Sequence, residues 1–290
     1  MASFSKKAKV APKKKAAAKK KEVAPVPNGT VPASMAARMT AAAAKGRGFE
    51  GMESKDYAIP FIKILDKSSA VCIESSDAYI EGARPGAIFN TVDQAITSGE
   101  DGIHVIPCGF KSVILEWESD QPGSGFIAEH PCSSDIKSLA QPNDKGQPVL
   151  PDGHMLQDAN NHYVLHVKDP DDLSDFDQVV ISMSGTQLTK SRRWNSMMSG
   201  RKAELPDGTR FTPPTYGVLY HLSTAPQSRD TFHWHGWEIF DSGLVEDESL
   251  FQHAEDFADT ILKGAVKANY NAGQTEPGAT ENDEGEDVPF

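Results

Sequence analysis

Short runs of apolar and β-branched residues, separated by turn-forming Gly, Pro, Asp and Asn, occupy the middle of the chain. These runs cover residues 58–65, 70–73, 87–91, 103–107, 112–117, 163–167, 179–184, 217–223 and 231–240. Many short strands with regular turn signals are typical of an antiparallel sheet that closes or forms a sandwich. Helices do not alternate with these strands, which disfavours a Rossmann-type sheet. The pattern therefore predicts a mainly β (α+β) body.

Three other segments have helical spacing or composition. Residues 34–45 predict a short helix, and residues 187–203 predict a helix inside the body. In the latter, Leu188, Met197 and Met198 can face the sheet. A last helix is predicted over residues 249–267, where Ser249 and Gln252 are spaced as a capping box. Its predicted apolar face consists of Leu250, Phe257, Ile261, Leu262 and Ala265.

Charge is distributed very unevenly along the 290 residues. The whole chain has a net charge of −12, with 29 basic and 41 acidic side chains. Residues 1–56 carry 13 basic and 4 acidic side chains, whereas residues 244–290 carry 2 and 12. Such asymmetry points to interaction tails. We therefore divide the chain into a disordered Lys/Ala-rich arm (1–56), a β-rich domain (57–243), a C-terminal helix (244–268) and a disordered acidic tail (269–290).

Several classes of protein lack support in the sequence. No run of 18 apolar residues could cross a membrane, and three cysteines without a C-x-x-C pair indicate neither a disulfide scaffold nor a zinc site. His233 and His235 form an H-x-H pair without a third ligand at recognisable spacing. No nucleotide-binding or hydrolase motif occurs. We expect a cytoplasmic protein that is not an enzyme and has no catalytic residue, metal or cofactor.

One basic window stands out within the acidic body. Residues 187–210 contain six basic and two acidic side chains, with a tryptophan among them. Binding of single-stranded nucleic acid needs cations along the backbone and aromatic faces on which bases stack. The predicted DNA-binding residues are Lys190, Arg192, Arg193, Trp194, Arg201, Lys202 and Arg210, together with Trp234 and Lys111. The alternative is a solvated helix face whose Trp194 packs inward, and for any single aromatic residue a core position is the safer interpretation.

The C-terminal sequence ENDEGEDVPF combines five acids with a terminal Val-Pro-Phe. A flexible polyanion can occupy a cationic DNA groove, and a terminal Phe with a free carboxylate can dock in an apolar pocket edged by Arg or Lys. This tip resembles that of bacterial single-stranded DNA-binding proteins and of their counterparts in short-tailed phages. The resemblance implies recruitment of replication proteins (polymerase, helicase-primase, recombination factors). The residues that it assigns to this contact are Glu286, Asp287, Val288, Pro289 and Phe290.

The body is similar to a family of phage proteins described as single-stranded DNA-binding. The stretches that carry the resemblance are IPFIKILDKSS, GAIFNTVD, IHVIPCGFKSVILEW, ISMSGTQLTKSRRWNSMM and YHLSTAPQSRDTFHWHGWEIF. The resemblance implies an OB-like antiparallel β-barrel with insertions, around residues 120–160 among other places. It also implies action in phage DNA replication, recombination and repair.

These observations favour a single-stranded DNA-binding protein that coats and protects the strand and could form a homo-oligomer. Two alternatives stay open. A virion or packaging protein could bind duplex DNA through the lysine arm, and a DNA-processing enzyme such as a nuclease could use acids that no motif singles out.

Overall fold

A computed structural model describes residues 31–43, 45, 47, 59–119, 124–170, 172–264, 266, 268 and 270. The chain divides into two units, residues 1–51 and 52–290. In the first unit, helix α1 spans Ala33–Ala43, which confirms the helix predicted over residues 34–45. Residues 1–30 of the predicted basic arm and residues 271–290 of the predicted acidic tail lie outside the described residues.

The second unit is mainly β. Its described strands are β1 (Ile62–Ile64), β2 (Ile88–Asn90), β3 (Ile96–Thr97), β4 (Ile103–Trp117), β5 (Phe126–Pro131), β6 (Gln141–Pro142), β7 (Pro148–Val149), β8 (Met155–Asp169), β9 (Asp172–Ser184), β10 (Ala203–Glu204), β11 (Arg210–Phe211), β12 (Val218–Arg229) and β13 (Phe232–Leu244). Its helices are α2 (Gln187–Gly200) and α3 (Glu248–Leu262). Residues 70–73, predicted as a strand, instead contain the 3₁₀ helix Ala70–Cys72, which follows a turn held by the side chains of Asp66 and Ser69.

The main sheet is antiparallel and runs in the order β13-β12-β4-β8-β7-β6, with β5 paired to β4 and β9 paired to β8. It curls into a half-barrel, which confirms the predicted mainly β, barrel-like core. The small sheets β1-β2-β3 and β10-β11 complete the described strands.

Strand β4 is one long strand where the sequence predicts two, over residues 103–107 and 112–117. Pro107 has no N–H for the ladder and falls at a β-bulge between Pro107 and Gly109, so the strand bends there without ending. Gly109 also allows a helix to approach, because a Cβ atom at this position would lie 2.8 Å from the Ile261 side chain of α3.

The two helices of this unit cover opposite faces of the main sheet. On one face, Trp194 and Met198 of α2 pack in a buried cluster with Val105, Ile181 and Tyr220. On the other face, a second cluster joins α3 to the sheet through Leu250, Ala254, Phe257, Ala258 and Ile261, which pack against Ile106, Tyr163 and Leu165. The half-barrel therefore has a layer of helix on each side.

Two details of α3 differ from the sequence prediction. The cap is Asp247, whose carboxylate accepts a hydrogen bond from the Leu250 N–H at 2.7 Å, so Ser249 is not the capping residue. Leu262 is 84% exposed and does not belong to the apolar face, because it lies about 100° further around the helix than Ile261, which packs in the sheet cluster. Ala265 lies outside the described residues.

Candidate nucleic-acid interface

Trp194 belongs to the core, which corrects its prediction as a residue that stacks on bases. Its side chain is 0% exposed. The indole stacks on the His162 ring at a centroid distance of 4.5 Å and meets Tyr220 edge-on at 5.7 Å. These contacts hold α2 against strands β8 and β12. The inward alternative for Trp194 is therefore the observed one.

A buried polar cluster fixes the rotation of α2 about its axis. The Ser191 hydroxyl accepts a hydrogen bond from the Asn160 amide at 2.9 Å and lies 2.8 Å from His162 Nε2. Asn160 in turn accepts from the Ser112 hydroxyl at 2.8 Å. Burial lowers the pKa of His162 to about 3, so this imidazole is neutral near pH 7. With Ser191 and Trp194 held inward, the intervening side chains at 192 and 193 must point outward.

The predicted basic window separates into two sets of side chains. In one set, Arg201 pairs with Asp241 at 3.2 Å and Arg210 pairs with Glu204 at 3.2 Å. Lys202 donates to the Thr212 hydroxyl at 2.7 Å. The other set contains Lys190, Arg192 and Arg193, which make no ion pair within the described part of the chain. Lys202 also lacks a carboxylate partner but is engaged by a hydroxyl, whereas the second set makes no ion pair and lies together on α2.

A cleft of about 250 Å³ lies between α2 and the edge strand β13. Lys190, Arg193, Trp194, Trp237, Glu238, Ile239 and Phe240 line it. Lys190 and Arg193 supply cations on the helix side. Phe240 borders the cleft at the sheet edge, but its ring, which is 51% exposed, lies on the face of β13 turned away from α2, against the His221 ring. Cations and an exposed aromatic face are the combination that binds a single strand without sequence preference, and here they lie on the two sides of one edge strand.

The aromatic residues of β13 lie on both faces of the strand, because successive side chains point to opposite sides. Trp237 and Ile239 point into the core cluster under α2, whereas Phe232, Trp234 and Phe240 share the opposite face. Phe232 is 73% exposed, and Trp234 is half-buried. The Trp234 indole N–H donates to Gln227 Oε1 at 2.9 Å. The sequence prediction names Trp234 but misses Phe240, which the same alternation could have identified.

Trp234 borders a second cavity of about 470 Å³. Its lining residues are Asp66, Lys67, Pro85, Pro226, Gln227, Ser228, His233, Trp234 and His235. Lys67 is its one cation. His233 and His235 lie side by side at positions i and i+2 of β13, and no group of three possible metal ligands in the described part of the chain includes either of them.

Lys111 lies on the other side of the sheet from α2. Its ammonium is 3.4 Å from the Val266 carbonyl oxygen and 5.3 Å from the centroid of the Tyr163 ring. Tyr163 and Val266 both belong to the cluster under α3. The structure therefore does not bring Lys111 together with Lys190 and Arg193. The partner-binding residues predicted at 286–290 lie outside the described residues.

Comparisons with known proteins identify the family of the chain. The family described as Pam3 phage gp34-like protein matches residues 26–267, which is most of the chain, so the protein belongs to this family of phage proteins. No curated protein and no solved structure matches. Within the described residues, no helix is long and apolar enough to cross a membrane.

Proposed function

We propose that this member of the Pam3 phage gp34-like family is a single-stranded DNA-binding protein, not an enzyme, that coats and protects the strand during replication, recombination and repair. The observation that carries the proposal is the cleft between α2 and β13. There, Lys190 and Arg193 lie without carboxylate partners on one side of the edge strand, and the exposed ring of Phe240 lies on the other side of the same strand.

The proposed path of the strand follows the helix and the sheet edge. Phosphates contact Lys190, Arg192 and Arg193, and the DNA crosses the edge strand β13 so that a base stacks on Phe240. Each such stack contributes about 1–3 kcal/mol. Glu238 is the one acid in the cleft lining, so the local charge favours a polyanion although the whole chain is acidic. Because phosphate contacts release counterions, affinity should fall steeply as salt rises.

The two tails extend this proposal. The three lysine clusters of residues 1–21 add non-specific electrostatic affinity. The tip at residues 281–290 competes with DNA for the basic surface and recruits replication proteins through its Val-Pro-Phe end. Five acids of the chain lie in this tip, so its displacement by DNA moves part of the net charge of −12 away from the basic surface.

The test is a matched pair of double variants. Replacing Lys190 and Arg193 by Ala should weaken binding of a fluorescent oligodeoxynucleotide and lower the slope of log affinity against log salt by about 1.4, or 0.7 per lost contact. The control replaces Lys137 and Lys263, which pair with Asp158 and Asp259 elsewhere. It removes the same charge and should leave the slope unchanged. Equal losses in both variants would refute the assigned surface.

A further inference from the structure

A buried carboxylate at the end of β4 lies between two imidazoles. Glu116 pairs with Ala128 of β5 on one side and with Leu156 of β8 on the other. His130 and His154 are each two residues from those partners, so all three side chains project from one face of the sheet. The sheet register therefore brings together residues that are 14 and 38 positions apart in sequence.

The contacts within this cluster are short. His130 Nε2 lies 2.6 Å from Glu116 Oε2, and His154 Nδ1 lies 2.6 Å from Glu116 Oε1. Glu116 is 7% exposed. A buried carboxylate is costly unless it is paired or coordinates a metal. The two imidazoles thus hold an anion at a fixed position inside the fold.

A second carboxylate reaches the cluster from the turn between β7 and β8. Asp152 Oδ2 lies 3.4 Å from His154 Nδ1. The other carboxylate oxygen of Asp152, Oδ1, accepts a hydrogen bond from the main-chain N–H of His154 at 3.1 Å. This bond fixes the turn. The ligand atoms of Glu116, Asp152 and His154 all lie within 4.8 Å of one another. Three donors therefore converge on one point from two separate chain segments.

We propose that Glu116, Asp152 and His154 bind a zinc ion and that His130 is a positioning residue, which holds the second carboxylate oxygen of Glu116. Imidazole nitrogen and carboxylate oxygen are both zinc ligands, at 2.0–2.2 Å. Tetrahedral ligands at that distance lie roughly 3.3 Å apart, close to the Asp152–His154 separation. The ion replaces the proton that Glu116 and His154 share.

Zinc at this point has a structural consequence. It joins β4 to the exposed turn that begins β8, and His130 extends the connection to β5. Ligands of this kind stabilise the folded state because the site is not preformed in the unfolded chain. The sequence patterns do not predict this site, and it is independent of the proposed DNA-binding surface.

The test is calorimetric titration of Zn²⁺ into the full, untagged chain after dialysis against a chelator. One ion per chain is expected, with a higher unfolding temperature in its presence. His154→Ala should abolish both effects. Asp152→Asn changes an exposed turn residue but keeps the turn hydrogen bond, so the variant folds while its Zn²⁺ affinity falls at least tenfold. Asp144→Asn, in another exposed turn, is its control and should bind as the unaltered chain does.

His130 needs a test that separates positioning from ligation. His130→Ala should lower the affinity by about 10–100-fold, the usual effect of losing an outer-shell partner. His130→Gln can still donate to Glu116 and should restore most of the affinity. Replacing both His233 and His235 by Asn should change nothing. Absence of Zn²⁺ binding by the unaltered chain, or undiminished binding by the His154→Ala and Asp152→Asn variants, would overturn the proposal.

Discussion

The Gln187 side chain accepts a hydrogen bond from the main-chain N–H of Trp237 at 3.0 Å. Gln187 is the first residue of α2, and Trp237 lies in the edge strand β13. An edge strand exposes unpaired N–H groups, and this bond satisfies one of them while tying the helix to the strand. The two walls of the basic cleft are thereby held together.

Gln187→Ala should loosen that connection. Loss of one hydrogen bond typically costs about 0.5–1.5 kcal/mol of the free energy of unfolding, and a less defined cleft should bind single-stranded DNA more weakly. Urea denaturation and fluorescence anisotropy measure the two effects. The control is Gln252→Ala on the exposed side of α3. An affinity no lower than that of the control variant would mean that this bond does not shape the binding surface.

Phe240→Ala should reduce affinity for a single-stranded oligonucleotide by about 1–3 kcal/mol, because one base loses its stacking partner. The stability of the protein should change little, since half of this ring is already exposed. Phe211 offers a matched control, because it is an exposed Phe on β11 away from the cleft lining. If Phe211→Ala weakens binding as much as Phe240→Ala, the strand does not run along β13.

Trp194→Ala should lower the free energy of unfolding, and Trp194 itself should not contribute to DNA affinity. Truncation of a fully buried Trp costs about 3–5 kcal/mol of unfolding free energy, which denaturant titration will measure. The milder Trp194→Phe variant, assayed at a temperature where it is fully folded, should keep the unaltered affinity for single-stranded DNA. A folded Trp194→Phe protein that fails to bind would restore this residue to the interface.

Burial of His162 predicts a pH-dependent stability. The folded protein protonates this ring only near pH 3, whereas an unfolded imidazole titrates near pH 6.5. Between these values the unfolded chain binds more protons, so the free energy of unfolding falls on acidification by up to about 1.4 kcal/mol per pH unit. His162→Gln should flatten this dependence in denaturant titrations at pH 7.0 and 5.5. The buried His166, whose pKa is also lowered by burial, contributes equally to both proteins. An unchanged slope would contradict the assignment.

Local patterns predicted the elements of the fold well, because the spacing of apolar residues and the positions of turn-forming residues can both be read from the sequence. Alternation along residues 231–240 predicts that Trp237 and Phe232 lie on opposite faces, and the structure buries Trp237 and exposes Phe232. Helical spacing located α2 but could not show that Trp194 faces the sheet, since a basic helix with one Trp satisfies either orientation. The sequence pattern predicts that a strand ends at Pro107, yet pairing with β8 continues the strand through a bulge.

The Glu116 cluster could not be predicted in this way. Its members have no metal-binding spacing in sequence, and only the register of β4 with β5 and β8 makes them neighbours. The same holds for the cleft, which needs α2 to dock beside a strand that begins more than thirty residues later. Contacts between segments that are far apart in the chain leave little trace in local sequence patterns.

The most direct test of the central claim is a comparison of single-stranded and duplex DNA of the same sequence, titrated over a range of salt. It uses the full chain and a variant that lacks residues 281–290. The account predicts tighter binding of the single strand, steep weakening with salt, and a gain in affinity when the acidic tip is removed. Equal affinity for duplex and single strand, with no gain from the deletion, would contradict it and favour a packaging protein.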